Sequence, residues 1–195
     1  MASKLDVCNI ALSNIGCLPI QSFTEDSDSA RLMQLNYDRC LESLLREYPW
    51  KFATKITTLV TAGDETHPGF DYAFVYPIDC LRLIGIFDSR LRNKREFDVR
   101  LSEDRAYKII VTDEPSPAAK YIAKLEDASM FPSTFVEALA YKISYEINNA
   151  KTGNAQQTAE MHERFTTALQ QAVHDDVMEM NRNIIYPSNY EKSRR

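Results

Sequence analysis

Acidic side chains are the residues of this 195-residue chain whose types and spacing come nearest to chemistry. Asp71 and Asp79 flank an aromatic segment. Two carboxylates roughly 5–9.5 Å apart across a glycosidic bond can hydrolyse it, one as acid and the other as base or nucleophile. Only their charge recommends this pair. Asp175, Asp176 and Glu179 crowd one end of a helical stretch. Carboxylates one turn apart can hold a cation or exchange protons, although such runs are far more often a solvated helix face. His67 falls in a loop, whereas His162 and His174 are more than three helical turns apart and cannot chelate one metal. His162 reads as half-buried core.

Cys8, Cys17, Cys40 and Cys80 make no Cys-x-x-Cys pair, so zinc and redox motifs are not expected. In their apolar surroundings they read as small core residues of a reducing compartment. The five glycines form no phosphate-cradling loop, and there is no Gly-x-Ser-x-Gly elbow. The alternation of Phe70, Tyr72, Phe74 and Tyr76 suggests a stacking platform for single-stranded nucleic acid. Basic residues are not interleaved there, so the aromatics read as sheet core and subunit contacts. The sequence thus predicts no enzyme, with no catalytic, cofactor-binding or metal-binding residues and no cofactor.

A net charge of −5 gives no global basic character. The opening stretch MASKLDVCNIALSNIG is too polar for a secretory signal. No apolar run approaches the ~20 residues of a membrane span. The expectation is a soluble protein made inside a cell.

The elements that must position these residues follow from periodicity. Leu5, Cys8, Leu12 and Ile15 form the stripe of a first helix, from about Ser3 to Ile15, with Ser3 as N-cap and Gly16 at its end. An acidic link, Ser22–Ala30, leads into a second helix from about Ser29 to Tyr48, buried through Met33, Tyr37, Cys40, Leu41, Leu44, Leu45 and Tyr48. Pro49 must stop it. Trp50 then sits at the corner before a strand rich in β-branched residues, where an indole can seal the junction and still satisfy its N–H. Further strands are expected at Phe70–Tyr76, Cys80–Phe87, Tyr107–Thr112 and Ala118–Leu125. The charge-rich 88–108 segment reads as a hairpin or an exposed loop. Two last helices follow. One is capped by Ser133 and buried through Phe135, Leu139, Ile143 and Ile147. The other, Ala155–Asn181, is buried through Ala159, His162, Phe165, Leu169, Val173 and Val177.

The expected fold is α+β: an antiparallel four-helix bundle with an inserted small antiparallel β-sheet region and an extended C-terminal tail. Residues 1–50 form the first helix pair, 51–126 the β-rich region, 127–182 the second helix pair and 183–195 the tail. In the tail, Ile184, Ile185, Tyr186 and Tyr190 are apolar and aromatic anchors, and Arg194 and Arg195 suit acidic groups. These six residues read as a partner-binding set.

Several of these stretches, taken in order, resemble the tail tubular protein A family, the head-to-tail adaptors of short-tailed bacteriophages. The resemblance is carried by ALSNIGCLPIQSFTEDSDSARLMQLNYDRCLESLLREYPWKFA (Ala11–Ala53), with its Ile-Gly-x-x-Pro-Ile turn, acidic link and Trp-x-Phe corner. It continues through FVYPIDCLRLIGI (Phe74–Ile86) and PSTFVEALAYKISYEI before the long helix. The resemblance implies a virion protein of the tail or neck, synthesised in the host cytoplasm. It implies a homo-oligomeric ring, usually dodecameric, docked on the portal protein and carrying the tail nozzle protein. Some members also seat tail fibres. DNA would pass through the channel during ejection without sequence-specific binding, and no membrane is involved. Pro49, Trp50 and Phe52 would form a structural hinge between the bundle and the sheet that builds the ring, and the tail anchors would meet the portal. A tail-associated cell-wall hydrolase is the alternative, resting on the acidic residues; a DNA-binding packaging factor is a third reading.

Overall fold

The computed structural model describes residues 2–63 and 67–179. Helix α1 (Lys4–Asn14) opens with a capping box: the Ser3 hydroxyl accepts from the Asp6 N–H, and the Asp6 carboxylate accepts from the Ser3 N–H. Gly16, at φ +74°, reverses the chain after it, a conformation that glycine adopts without strain. Helix α2 (Asp28–Glu47) starts at Ser27, whose hydroxyl accepts from the Ala30 N–H. It ends where Tyr48 turns extended before Pro49. The predicted face of α2 is buried, except that Tyr48 is half-buried.

The strands are β1 (Thr54–Thr58), β2 (Tyr72–Val75), β3 (Cys80–Phe87), β4 (Lys94–Arg95), β5 (Asp98–Leu101), β6 (Lys108–Thr112) and β7 (Ala118–Ala123). They form two antiparallel sheets, β1-β7-β3-β4 and β2-β6-β5. The charge-rich 88–108 segment resolves into the link between them. It closes the β3–β4 hairpin on the first sheet, then crosses to build the β5–β6 hairpin of the second.

Helix α3 (Ser133–Thr152) and helix α4 (Ala155–Met178) form a hairpin about Gly153, at φ +64°. Asn154 caps α4 by accepting from the Gln156 and Gln157 N–H groups. Ser133 is not the cap of α3: Pro132 holds that position, and Ser133 is the first helical residue, with no side-chain cap bond.

The α+β class stands, but the four-helix bundle with a small inserted sheet does not. Helices α1, α2 and α4 each pack on α3, and α1 also meets α2 through Lys4, which pairs with Asp38 at 2.9 Å and lies over the Tyr37 ring. Helix α3 is therefore buried on almost every side, down to Lys142, Ser144 and Asn148. One face of the four-stranded sheet joins the helical core through Ile122, with Leu81 and Ile84 packed against it. Its other face meets the three-stranded sheet through Leu59, Ile86, Ala119, Tyr121, Phe74 and Ile110. The outer side of that second sheet holds a smaller cluster of Ala73, Ile109 and Val111, against which Ala62 and Phe70 pack. The architecture is layered, helices on sheet on sheet. Helical periodicity says which face is covered and not what covers it, so a stripe that suits a bundle suits a sheet equally well.

The buried stripe of α4 also differs from expectation. Met161, Phe165, Ala168, Ala172 and Asp176 face inward, whereas Ala159, His162 and Val177 are exposed. Small residues at 168 and 172 let the α4 backbone approach α3, and a buried hydrogen bond claims Asp176. Both outweigh the pull of the larger side chains. His162 instead lies edge-on to the Tyr145 ring at 5.2 Å.

Candidate functional site

The helix-to-sheet corner is built from Tyr48 to Thr54. Trp50 is 1% exposed and its indole N–H donates to the Leu44 carbonyl at 3.0 Å. The Phe135 and Tyr48 rings stand edge-on to it at 5.0 and 5.1 Å, and Phe52 and Phe131 extend the cluster. Helix C-termini leave carbonyls without intrahelical donors. Here the indole satisfies Leu44, and the Arg82 guanidinium from β3 donates to the carbonyls of Arg46 and Glu47 at 3.0 and 3.3 Å. Pro49, Trp50 and Phe52 thus stand at the junction between α2 and β1.

Asp176 locks the same corner from α4. Its Oδ1 accepts from the Lys51 backbone N–H at 2.9 Å, and its Oδ2 is buried without a hydrogen bond, 3.9 Å from Lys51 Nζ. The acidic cluster of the sequence is therefore split. Asp175 accepts from Gln171 Nε2 at 2.9 Å, and Glu179 is exposed. Among the described residues, no group of three His, Cys, Asp or Glu side chains is placed to hold a metal. No helix among them is long and apolar enough to cross a membrane.

Asp71 immediately precedes β2 and Asp79 immediately precedes β3, strands of different sheets, and the two keep different company. Asp71 donates its backbone N–H to Asp113, whereas Asp79 accepts from Lys55 Nζ and the Tyr121 hydroxyl, both at 2.8 Å. Partial burial pushes the Asp79 carboxyl up, but the hydrogen bonds from Lys55 and Tyr121 outweigh it and hold it below the usual carboxylate range. Burial and the Asp79 carboxylate push the Tyr121 phenol up to about 12. A carboxyl so depressed stabilises the fold above its unfolded pKa, about 3.9, and the gain vanishes as pH falls through the lower folded value. Asp79→Asn should thus cost up to about 1 kcal/mol at pH 7, since the group is partly exposed, and almost nothing at pH 2. Urea titrations at the two pH values measure the difference; an equal cost at both would contradict the pairing.

Beside Asp79 the two sheets leave an open groove of about 470 Å³, lined among others by Leu59, Val60, Val75, Tyr76, Ile78 and Tyr121. Val60 is 71% exposed and Ile78 fully so. The adjoining β1 is an edge strand carrying the exposed Ile56. An unpaired strand edge beside exposed aliphatic side chains favours pairing with another chain. This surface was not legible as a site, because Val60 and Ile78 lie on two separate strand ends.

The cysteines are free thiols. Cys8 and Cys40 are buried, and burial raises them to about 12 and about 11; Cys17 and Cys80 are half-buried. The tail anchors Ile184, Ile185, Tyr186, Tyr190, Arg194 and Arg195 lie outside the described residues. Comparison of the sequence with protein-family models and with curated proteins finds no match.

Proposed function

We propose that the protein is a structural virion subunit, a head-to-tail adaptor that forms a ring between portal and nozzle and lengthens the DNA channel. The observation that carries the reading is the apolar groove between the sheets, with Val60 and Ile78 exposed beside the open edge of β1. Its occupant in this reading is a second copy of the chain, so that neighbouring subunits close a ring through their sheets. The resemblance of the ordered motifs across Ala11–Ala53, Phe74–Ile86 and the α3 sequence supports the same assignment. A head-to-tail contact between unlike surfaces is the kind that generates rings.

In this reading the helical layer and the tail anchors meet the portal, and the packed corner at Trp50 transmits its position to the sheets. Association with the portal ring encoded by the same genome tests it. Mass photometry should show portal particles gaining a full set of subunits, twelve on the family resemblance. Portal particles of unchanged mass would count against it.

A further inference from the structure

Two sheets have four outer edges, and two of them are closed or too short to pair. Residues 60–62 cover the outer edge of β2, since the Val75 N–H donates to the Val60 carbonyl and the Ala62 N–H to the Ala73 carbonyl. Strand β4 has only two residues. Among the described residues this leaves β1 on the first sheet and β5 on the second. They lie at opposite sides of the sandwich. The chain leaving β1 closes on β2, at one side of the second sheet, whereas β5 forms its other side and is entered from β4, at the far end of the first.

The hydrogen bonds show which residues face these openings. The Ala123 N–H donates to the Ala53 carbonyl and the Leu59 N–H to the Pro117 carbonyl. Residues 53, 55, 57 and 59 therefore bond β7, and Ile56 and Thr58 turn their N–H and C=O groups outward. On β5 the Ser102 N–H donates to the Tyr107 carbonyl, so Arg100 and Asp98 bond β6, and Val99 and Leu101 turn outward. The Val99 N–H turns back to the neighbouring Asp98 carboxylate at 2.8 Å. The outward residues also carry exposed aliphatic side chains: Ile56 is 49% exposed, Val99 40% and Leu101 55%.

We propose that β5 of one copy adds antiparallel to the open edge of β1 in the next, with Leu101 opposite Ile56 and Val99 opposite Thr58. Each pair exchanges both of its bonds, about four in all, and the aliphatic side chains of opposed residues cover one another. Sliding the pairing by two residues would set Thr54 against Leu101 and Lys55 against Arg100. The Lys51 carbonyl already holds the Thr54 N–H, and like charges opposite one another repel. In the proposed register the turn after β5, with Glu103 and Asp104, arrives at the end of β1 that carries Lys51 and Lys55, so the ends of the contact are complementary in charge. The groove lined by Val60 and Ile78 adjoins the same edge. Because the two edges are unlike and lie on opposite sides, each copy that joins leaves one edge open for another, the pattern that a closing ring requires. The partner rests on the ring reading above; the edge pairing is measured separately from it.

The test uses the full chain with a photo-crosslinking phenylalanine analogue at Ile56, as an equimolar mixture of isotopically light and heavy protein. It is illuminated concentrated and alone, and again with portal rings. Crosslinks between light and heavy chains are expected to the segment around Val99 and Leu101, with a yield that rises on the portal as neighbours are held together. Leu101→Lys, at an exposed position on β5, should lower that yield about tenfold, because a lysine on an edge strand opposes pairing. Leu18→Lys, exposed between α1 and α2, should leave it unchanged. Crosslinks from Ile56 to β1 of the other copy would show a two-fold pairing and overturn the proposal. So would the absence of crosslinks between chains in both samples, or a yield indifferent to Leu101→Lys. Portal particles that gain mass without these crosslinks would overturn the edge pairing and leave the ring. Crosslinks at Leu101 with portal mass unchanged would leave the pairing and overturn the ring.

Discussion

Replacing Trp50 with alanine will lower the unfolding free energy by about 3–5 kcal/mol, the range for deleting a large aromatic from a packed core. Three losses add. The indole is almost completely buried among Tyr48, Phe52 and Phe135. Its N–H leaves the Leu44 carbonyl without a donor near the end of α2. The corner it fills also carries the Lys51 N–H that Asp176 holds from α4. A domain of this kind is worth about 5–15 kcal/mol in all, so the variant will stand close to unfolding. Urea titration followed by circular dichroism is the measurement, because the variant lacks the only tryptophan of the chain. With an m-value of about 1–3 kcal/mol/M, the midpoint should fall by at least about 1 M. Trp50→Phe should retain most of the ring contacts and lose about 1 kcal/mol through the missing hydrogen bond. A midpoint unchanged in Trp50→Ala would mean that the corner does not hold the layers together.

The second large effect centres on Lys142. Its ammonium is buried in α3, 2.5 Å from Glu47 Oε1 in the last turn of α2 and 4.9 Å from the centre of the Phe165 ring of α4. This one cation therefore joins three helices. Removing either partner will not cost the same. Glu47→Ala strands a buried ammonium, for which losses of about 3–5 kcal/mol are usual; because the Glu47 side chain is one-third exposed, the low end applies. Lys142→Met replaces the buried charge by an apolar chain of similar length and frees Glu47 to turn to water. It should be neutral within about 1 kcal/mol, or stabilising. Chemical denaturation of the two variants side by side reads the asymmetry. Equal losses would show that the pair is a net stabiliser by itself, and not an ammonium that needs its partner once buried.

The parts of this fold that the chain announces are the local ones. Ser3 with Asp6, Gly16 and Pro49 mark helix ends by chemistry that acts over three or four residues. Met33, Tyr37, Cys40, Leu41, Leu44 and Leu45 of α2 declare an inward face because they recur at the helical period of 3.6. The layering is not local, and the helical stripes that suit it suit a bundle equally well: Ile122, Leu81 and Ile84 cover the helices from a sheet whose strands are distant in the sequence. The inward face of α4 failed for a related reason. Its contact with α3 uses alanines, and Asp176 is drawn inside by a backbone N–H 125 residues away. The Asp79 cluster likewise depends on Lys55 and Tyr121, 24 and 42 residues distant, so a carboxylate that resembles a lone acid in the sequence is an ion-paired sheet residue in the fold. Val60 and Ile78 become a surface only once β1 and β3 are set in one sheet with β2 packed across them.

The claim that this molecule acts by contact between larger assemblies is tested most directly by its association with portal rings. Mass photometry of portal mixed with the wild-type chain should give one discrete heavier species, a portal with a complete ring. Mixing with Ile78→Lys should give portal particles that carry incomplete and heterogeneous numbers of subunits, because the groove proposed to receive the neighbour is charged while the helices proposed to face the portal are untouched. Portal particles that never gain mass with the wild-type chain, or rings that close equally well with Ile78→Lys, would contradict the account.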